Sequence, residues 1–346
     1  MVRRSLIAAA LMAVAAPLAA QSPLPGPVEW TWSSDRPDAD APLGVFGART
    51  LGASELQFGY TLYQTNWQGV WVNQDSLDLA TTLQIYDDAP LSKSDIRHRV
   101  SLAYGVSDNL TLVARGEFAV MERETFANGN LIRTGTDALG DVEVGALFNV
   151  ISQGPFRMHV QGGAIIPTGA STTYADTTMA GSGSTAQPFD MRPGAGVFGA
   201  IVGITGSVQN EVASLGGQFK LRTNFGSTGG GTTSYTWGDS YEANGWAAYR
   251  VTEVLSVSGG ARWQSWSQID GGDDRLDSFG DPMNRGGILA GQRAMMPLGL
   301  NFMMPEGSSF AGHRLSLEAV YTLHTDYEGP QMGLDWGFNF GWSFGM

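Results

Sequence analysis

The last eleven residues, 336–346, constrain the fold of this chain more than any other stretch. Every even-numbered position is large and apolar, and every odd-numbered position is Gly, Asn or Ser. Successive side chains of a β-strand point to opposite faces, so this strand would have one largely aromatic face and one small, polar face. A soluble sheet must cover such an aromatic face with a second layer, whereas a membrane barrel turns it to lipid. The pattern therefore favours a membrane strand, although the chain ends on Met346 rather than on an aromatic residue.

The N-terminus has the organisation of a secretory signal peptide. Arg3 and Arg4 precede an Ala/Leu-rich run over 5–16, and small residues lead to Ala20. A retained membrane anchor is the alternative, but it needs roughly 18 or more apolar residues, and this run is shorter. We predict that residues 1–20 are a signal peptide cleaved near Ala20. An exported chain with a membrane strand belongs in the outer membrane of a Gram-negative bacterium.

Composition narrows the function classes. The chain has no Cys, which excludes disulfides and thiol chemistry. Without Arg3 and Arg4, 18 of its 20 basic residues remain against 33 acidic ones, a net charge of −15. This balance disfavours nucleic acid as a partner. Outer-membrane lipid and lipopolysaccharide are the expected surroundings, with divalent cations able to bridge acidic surfaces.

Apolar alternation recurs twelve times after residue 50, in segments of about ten residues, the length of a tilted membrane strand. The segments begin near Leu56, Ile96, Leu110, Val142, Phe156, Val197, Leu215, Tyr241, Leu255, Ile288, Leu315 and Trp336. The sixth is Gly-rich and its phase is unclear. The tenth is interrupted by Pro297, which cannot donate to a β-ladder.

The connections between these segments alternate in length. Tight polar turns are predicted at 107–109, 152–155, 208–210 and 252–253. Long connections are predicted near 67–93, 122–140, 168–195, 226–238 and 267–286. We therefore predict an all-β, transmembrane, antiparallel up-and-down β-barrel over 53–346, with about 12 strands, short periplasmic turns and long extracellular loops. The rival fold, a soluble β-sandwich or lipocalin-like barrel, would not need an apolar band on nearly every strand.

Charged residues occupy the positions between the apolar ones, so they would face the lumen. The candidate lumen and substrate-path residues are Arg97, Arg99, Arg115, Glu117, Glu143, Arg157, His159, Lys220, Arg222, Glu242, Arg250, Arg262, Arg314 and Glu318. In one interpretation they form salt bridges that rigidify a narrow barrel. In the other, some Arg side chains favour anionic or aromatic solutes by charge and cation–π contact. About twelve strands fall between a filled interior and an open channel, which predicts a narrow path.

Residues 21–52 precede the first strand and lack strand alternation. The segment is rich in Pro, Trp and Asp, and it is either a plug in the lumen or a disordered periplasmic tail. The candidate plug residues are Trp30, Trp32, Asp35, Arg36, Asp38 and Asp40. The two Trp side chains would anchor the segment, and the Asp side chains would pair with luminal Arg.

The same segment carries a family resemblance. Ser33-Ser34-Asp35-Arg36-Pro37-Asp38, followed by Ala41-Pro42-Leu43-Gly44-Val45, resembles the N-terminal signature of the "MetA-pathway of phenol degradation" family. Further matches in the same order are Leu139-Gly140-Asp141-Val142, Ile269-Asp270-Gly271, Gly312-His313-Arg314-Leu315 with Glu318, Glu328-Gly329-Pro330-Gln331, and Asp335-Trp336. The resemblance spans nearly the whole mature chain.

The resemblance implies an outer-membrane barrel that passes small compounds, often hydrophobic or aromatic ones. Family members often carry a His-bearing Gly-Asp-His stretch after the Ala-Pro motif, which suggests metal contact. Here that place reads Gly47-Ala48-Arg49, and Asp40 stands where His is common. The resemblance therefore gives no metal site in this segment.

Catalytic and metal-binding signals are weak. A barrel lipase needs a His base beside its Ser, and His98 near the outer rim is the best placed, yet no His-x-Ser pairing occurs. Asp270, Asp273, Asp274, Asp277 and Asp281 crowd one loop, either as a Ca²⁺ site or as a solvated loop, without EF-hand spacing. We predict no catalytic residues, no enzyme activity, no metal and no cofactor.

The leading functional hypothesis is a channel for passive uptake of small solutes, hydrophobic or aromatic ones included, through a narrow Arg-rich lumen. The alternative is a non-conducting structural or surface-binding barrel, with a barrel hydrolase as a minor third class. The predicted partners of the protein are the solute, outer-membrane lipid, lipopolysaccharide and, during biogenesis, the barrel-assembly machinery.

Overall fold

Strands dominate the computed structural model, which describes residues 30–176, 184–230, 233–305 and 307–346. The predicted signal peptide and residues 21–29 lie outside the described residues. Thr31–Met346 form one structural unit. Among the described residues, no helix is long and apolar enough to cross a membrane.

The strands and helices follow one another in this order: β1 (Leu56–Asn73), β2 (Asp75–Leu77), α1 (Leu79–Ile85), β3 (Asp88–Ser107), β4 (Leu110–Ala127), β5 (Asn130–Leu139), β6 (Val142–Gln153), β7 (Phe156–Ile166), β8 (Tyr174–Asp176), β9 (Ser184–Ala186), β10 (Gly199–Gln209), β11 (Ala213–Asn224), β12 (Thr228–Gly230), β13 (Thr233–Thr236), β14 (Ser240–Arg250), β15 (Leu255–Trp266), β16 (Asp270–Gly272), β17 (Gly291–Met303) and β18 (His313–Gly345). Three short 3₁₀ helices lie at Phe189–Met191, Pro282–Asn284 and Gly286–Ile288.

Eleven strand elements form a closed antiparallel ring. The order around the wall is β1-β3-β4-β6-β7-β10-β11-β14-β15-β17-β18, and β18 pairs with β1 from Gln57↔Gly345 to Asn73↔Tyr327. β2 and β5 pair with ring strands but stand outside the ring. Closure leaves no open edge within the ring, as a membrane wall requires. The predicted all-β, transmembrane up-and-down barrel is confirmed.

The last element, β18, crosses the wall twice. Its first part pairs with β17 and its second part with β1. The Asn339 amide bonds the Glu318 carboxylate at 2.8 Å, and the Gly345 N–H bonds the Gly312 carbonyl at 3.2 Å, so the element folds back on itself near Glu328. The eleven ring elements therefore give twelve passes of the chain, in agreement with the count of about 12 from the sequence.

The faces of the wall follow the predicted alternation. The large exposed side chains include Val100, Leu102, Leu112, Phe118, Phe148, Val160, Leu215, Phe219, Val257, Leu300, Leu317, Tyr321 and Phe338. The phase of the sixth segment is also defined, because Val202 is 52% exposed while Ile201 is 8% exposed. Pro297 remains inside β17, where the ladder to β15 is interrupted between Met295 and Leu298. Pro297 pairs with Val320 of β18 on the other side, and since Pro has no N–H to donate, its place in β17 is compatible with the interrupted ladder to β15.

The predicted long connections are more ordered than loops. The stretch predicted as a connection at 122–140 is the outer half of β4 and the whole of β5, joined by Asn128 and Gly129 at φ of 51° and 77°. Both central residues of such a tight hairpin turn need positive φ, which Asn-Gly adopts readily. The connection at 67–93 is likewise the end of β1, β2, α1 and the start of β3.

Candidate functional site in the barrel interior

Ion pairs line the inner face of β3 and β4. Arg97 bonds Asp95 at 2.9 Å and Glu117 at 2.6 Å, and Arg99 bonds the other oxygen of Glu117 at 2.7 Å. The Arg99 guanidinium also lies 4.4 Å from the centre of the Tyr63 ring. Alternation places these side chains on one face, and the register of β3 against β4 brings Arg99 opposite Glu117.

A second group continues around the wall. Arg115 bonds Glu143 at 2.6 Å, and Arg222 approaches Glu143 at 3.5 Å and Asp141 at 3.7 Å. Glu143 therefore bridges strands that are not neighbours, because Arg222 lies on β11. Contacts of this kind require a narrow lumen.

A third group completes the inner ring on β11, β14, β15 and β18. Lys220 pairs with Glu242 at 3.2 Å, and Arg262 approaches Glu318 at 3.7 Å. The Gln264 amide donates to Glu242 at 2.7 Å. Of the fourteen candidate lumen residues, eleven thus take part in carboxylate contacts, counting the contact of Arg314 described below.

Three candidates stand apart from this ring. His159 is buried and its ring bonds the Gly47 carbonyl at 2.7 Å. Arg157 donates to the carbonyls of Gly154 and Phe156 in its own turn. For Arg250, at the end of β14, the described residues show no ion pair. Alternation predicted their face of the strand, but their positions at strand ends keep both Arg side chains out of the central network.

Residues 31–52 lie inside the barrel, and we refer to them as the plug. Wall side chains bond its backbone carbonyls at several heights: Ser256 bonds Pro37 at 2.8 Å, Gln218 bonds Phe46 at 2.9 Å, and Ser214 bonds Asp38. The Leu51 N–H donates to Thr111 at 2.8 Å and the Thr50 hydroxyl to Asn149 at 2.9 Å. These partners lie on β4, β6, β11 and β15, so the plug touches opposite sides of the lumen.

Leu43 to Phe46 of the plug contact two points of the wall. The Leu43 side chain sits against Gly341, where a Cβ would collide with it, and the Leu43 carbonyl accepts a bond from the Tyr63 hydroxyl. The Arg115 guanidinium lies 4.2 Å from the centre of the Phe46 ring. Because Gly341 has no side chain, the plug can approach the wall there. The Arg115–Phe46 contact joins the plug to the ion-pair ring.

The candidate plug residues divide in their contacts. Asp40 pairs with Arg314 of the wall at 3.1 Å, as predicted for an Asp and a luminal Arg. Arg36 and Asp38 are buried and pair with each other at 2.6 Å. The Asp35 N–H bonds the Ser33 hydroxyl, and the Trp32 N–H bonds the Gly154 carbonyl at 2.9 Å. Trp30 lies outside the unit Thr31–Met346.

The extracellular end is covered by the loops after β7, β11 and β15, which we call the cap. Its centre is an apolar cluster of seven buried side chains: Phe189, Tyr235, Ile269, Leu276, Met283, Leu289 and Met332. Phe189 meets Tyr235 edge-to-face with ring centroids 5.0 Å apart. Buried apolar area of this kind stabilises the loops over the barrel mouth.

Buried ion pairs tie the cap to the wall. Arg123 of β4 is 2% exposed and bonds Asp190 at 3.1 Å and also Asp281. Arg192 bonds Asp273 at 2.9 Å, and Arg275 bonds the same carboxylate at 2.6 Å. Burial disfavours the charged form of Asp273, but the hydrogen bonds from Arg275 and Arg192 outweigh it and hold the pKa of this carboxyl at about 2.

A chamber lies in the lumen against the wall strands β4, β6, β10, β11, β14, β15 and β17. It has a volume of about 280 Å³ and is lined by Arg115, Glu143, Lys220, Arg222, Glu242, Gln264, Trp266 and Arg293, among others. Four of these residues are cations and two are carboxylates. A second cavity of about 180 Å³ lies between the plug and the small wall residues Gly59, Ser101 and Gly341. Arg115 lines both cavities, so it stands where they meet.

The His and Asp side chains that the sequence offered as catalytic or metal-binding candidates make other contacts. In the described ranges, no hydrogen bond joins a His ring to a Ser hydroxyl; His98 bonds Tyr60 and His313 bonds Trp342. No group of three or more His, Cys, Asp or Glu side chains that could hold a metal occurs in the part of the chain that is described. Asp273 and Asp281 of the acidic loop are bound by Arg side chains instead.

Several interior residues were not among the sequence candidates. Arg293 of β17 bonds Gln264 at 2.9 Å and lies over the rings of Trp67 and Trp266 at 5.1 and 5.2 Å. Its odd-numbered position, opposite in phase to the exposed Leu298 and Leu300, was the signal that could have placed it inside. Lys93, Arg123 and Asp190 were missed because they lie in stretches predicted as connections.

The comparisons with known proteins support the fold. No family model and no curated protein matches the chain, so membership in the phenol-degradation family stays a prediction. Among solved structures, the chain is similar to the COG4313 outer membrane channel from Pseudomonas putida F1, with a TM-score of 0.59 and 12% identity, over 87% of this chain and 99% of that chain. At this identity the likeness shows the fold alone.

Two other solved barrels are similar at lower scores. The β domain of the Bordetella autotransporter BrkA gives a TM-score of 0.47 at 11% identity, over 85% of this chain and 100% of that chain. The Pseudomonas putida toluene transporter TodX gives 0.43 at 10%, over 85% and 90%. Nothing is inferred from scores this low. The closed ring and its exposed apolar face define the chain as a bacterial outer-membrane β-barrel.

Proposed function

We propose that this barrel is a channel for the passive passage of small solutes. The observation that carries the proposal is the polar chamber of about 280 Å³ lined by side chains of the barrel wall. A barrel with a purely structural role has no need of such a space, since salt bridges alone would fill a narrow lumen. The solute would pass from the chamber through the second cavity beside the plug, with Arg115 at the junction.

In this proposal the candidate lumen residues of the inner ring have two roles. Arg115, Lys220, Arg222 and Glu242 border the path because they line the chamber. Arg97 pairs with Glu117, and Arg262 pairs with Glu318. These two pairs set the width of the barrel. Lipid and lipopolysaccharide surround the exposed apolar face, and the barrel-assembly machinery would insert the chain through its aromatic C-terminal strand. The protein performs no catalysis in this account.

Single-channel conductance in planar bilayers tests the proposal. The mature chain is compared with a variant that lacks residues 23–52. We expect small, steady conductance from the full chain and a larger one from the deletion, because the plug contacts wall strands on opposite sides of the lumen. Correct folding of both is checked by heat-modifiable migration on gels.

The alternative is a non-conducting barrel whose cap binds a surface partner. It is favoured by the dense contacts of the cap, which cover the barrel mouth. Silence from both folded chains in the bilayer would contradict the channel and leave this alternative.

A further inference from the structure

One cation in the chamber makes no close salt bridge to a carboxylate among the described residues. Arg115, Arg222 and Lys220 each have a carboxylate within reach, whereas Arg293 makes no ion pair within the described stretches of the chain. Its Nε donates to the Gln264 side-chain oxygen at 2.9 Å, Tyr327 is a further side-chain partner, and Glu242 attracts it without forming a close ion pair. A half-buried guanidinium of this kind is suited to a carboxylate, which accepts two parallel hydrogen bonds from Arg.

The charge of the chamber also selects an anion. Its four cations stand against Glu143 and Glu242 among the lining residues. Lys220 and Arg222 lie two residues apart on β11 and line the same chamber as Arg293. A cationic solute would meet this excess of positive charge and be disfavoured.

The Trp266 ring lies beside the Arg293 guanidinium. The Trp266 ring lines the chamber, and its Nε1 bonds the Leu289 carbonyl at 2.7 Å, which fixes the orientation of the indole. Arg293 lies 5.2 Å from the centre of this ring. A planar ligand ring can therefore contact Trp266 while its acidic group bonds Arg293.

The size of the chamber limits the ligand. Pockets for drug-sized molecules hold about 300–1,000 Å³. A chamber of about 280 Å³ is therefore suited to a ligand with a single ring.

We propose that the chamber is a binding site for small aromatic carboxylates, with Arg293 as the main anchor and Trp266 as the ring platform. The inference rests on the proposed channel, since it names the solute class of that path. Arg293 determines specificity for charge, and Trp266 determines specificity for the ring.

Isothermal titration of the refolded, full mature chain in detergent tests the site. The probes are benzoate, its neutral counterpart benzyl alcohol, and acetate, which keeps the carboxylate but lacks the ring. We expect benzoate to bind roughly tenfold more tightly than either, because only benzoate uses both Arg293 and Trp266.

Two variants and a matched control separate the roles. R293Q should weaken benzoate roughly tenfold and leave benzyl alcohol unchanged. W266L should narrow the difference between benzoate and acetate. R133Q removes an Arg that pairs with Glu124 on the exposed β4–β5 hairpin, far from the chamber, and should change nothing.

The proposal is overturned if benzyl alcohol or acetate binds as tightly as benzoate, or if R293Q, folded by gel migration, keeps the benzoate affinity. W266L provides the second reading if R293Q fails to fold: an unchanged preference for benzoate over acetate would also overturn the site. Conductance without benzoate binding would remove this site and keep the channel. Benzoate binding without conductance would remove the channel and keep the binding site.

Discussion

The plug and the cap close the same lumen by different means. The plug is held largely by neutral bonds from wall hydroxyls and amides to its backbone carbonyls, such as Ser256 to Pro37 and Gln218 to Phe46. The cap is held by buried ion pairs, such as Arg123 to Asp190, and by one aromatic and aliphatic cluster. Many neutral hydrogen bonds hold the plug, whereas a few buried ion pairs and one apolar cluster hold the cap.

The difference has a consequence for opening. Each neutral hydrogen bond contributes only about 0.5–1.5 kcal/mol, so the loss of one leaves the plug in place. Removing one partner of a buried ion pair leaves an uncompensated charge and costs about 3–5 kcal/mol. The cap should therefore respond sharply to single changes, whereas the plug should respond gradually.

The largest expected effect is that of R123M. This substitution leaves the carboxylates of Asp190 and Asp281 buried with one fewer cation, so the cap should lose about 3–5 kcal/mol of local stability. Hydrogen exchange over residues 277–284 measures the loss. R133M on the same hairpin is the control, because its pair with Glu124 is mostly exposed and contributes about 0–1 kcal/mol. Equal exchange in the two variants would contradict the role given to the cap's ion pairs.

An intermediate effect is expected from acid. The pKa of Asp273 in the folded cap is about 2, below the value of about 3.9 for an unperturbed Asp. Its ion pairs with Arg192 and Arg275 therefore stabilise the cap fully above about pH 4, and this contribution is lost as the pH falls toward 2. Hydrogen exchange over residues 270–276, corrected for the intrinsic rate, should accelerate in that window. In D273N this acceleration should disappear; if it persists, another group is responsible.

The smallest effect is expected for S214A in the plug. The change removes one wall hydroxyl bonded to the Asp38 carbonyl and should cost about 1 kcal/mol. Exchange of the amides over 37–47 should become about fivefold faster, with conductance unchanged. Full release of the plug by this single substitution would show that its bonds act as one cooperative unit rather than separately.

Much of the wall could be predicted from the sequence, because a strand reports its two faces by alternation. Phe338 and Leu317 are exposed and Glu318 is buried, as the pattern indicated. The pairing of Arg99 with Glu117 also follows, since adjacent strands of a hairpin have a register set by a short turn.

The contacts of the plug and of the cap were harder to predict from the sequence, each for its own reason. The plug is bound through backbone carbonyls, which every residue carries, so its sequence holds little record of its partners. In the cap, Arg123, Asp190 and Asp281 are brought together from three distant stretches by the closed ring, and no local period marks them. Arg293 was missed because Pro297 obscured the strand, although the phase of Leu298 pointed to its position.

The central claim is that the barrel wall lines a cationic chamber to which the plug restricts access, and cysteine modification at Ser240 tests it most directly. The chain has no Cys, Ser240 lines the chamber, and S240C therefore gives a single reactive thiol there. An anionic thiosulfonate reagent should modify S240C slowly in the full chain and roughly tenfold faster when residues 23–52 are deleted. In both chains it should react faster than a cationic reagent of similar size. Equal rates with and without the plug, or faster reaction with the cation, would contradict the account.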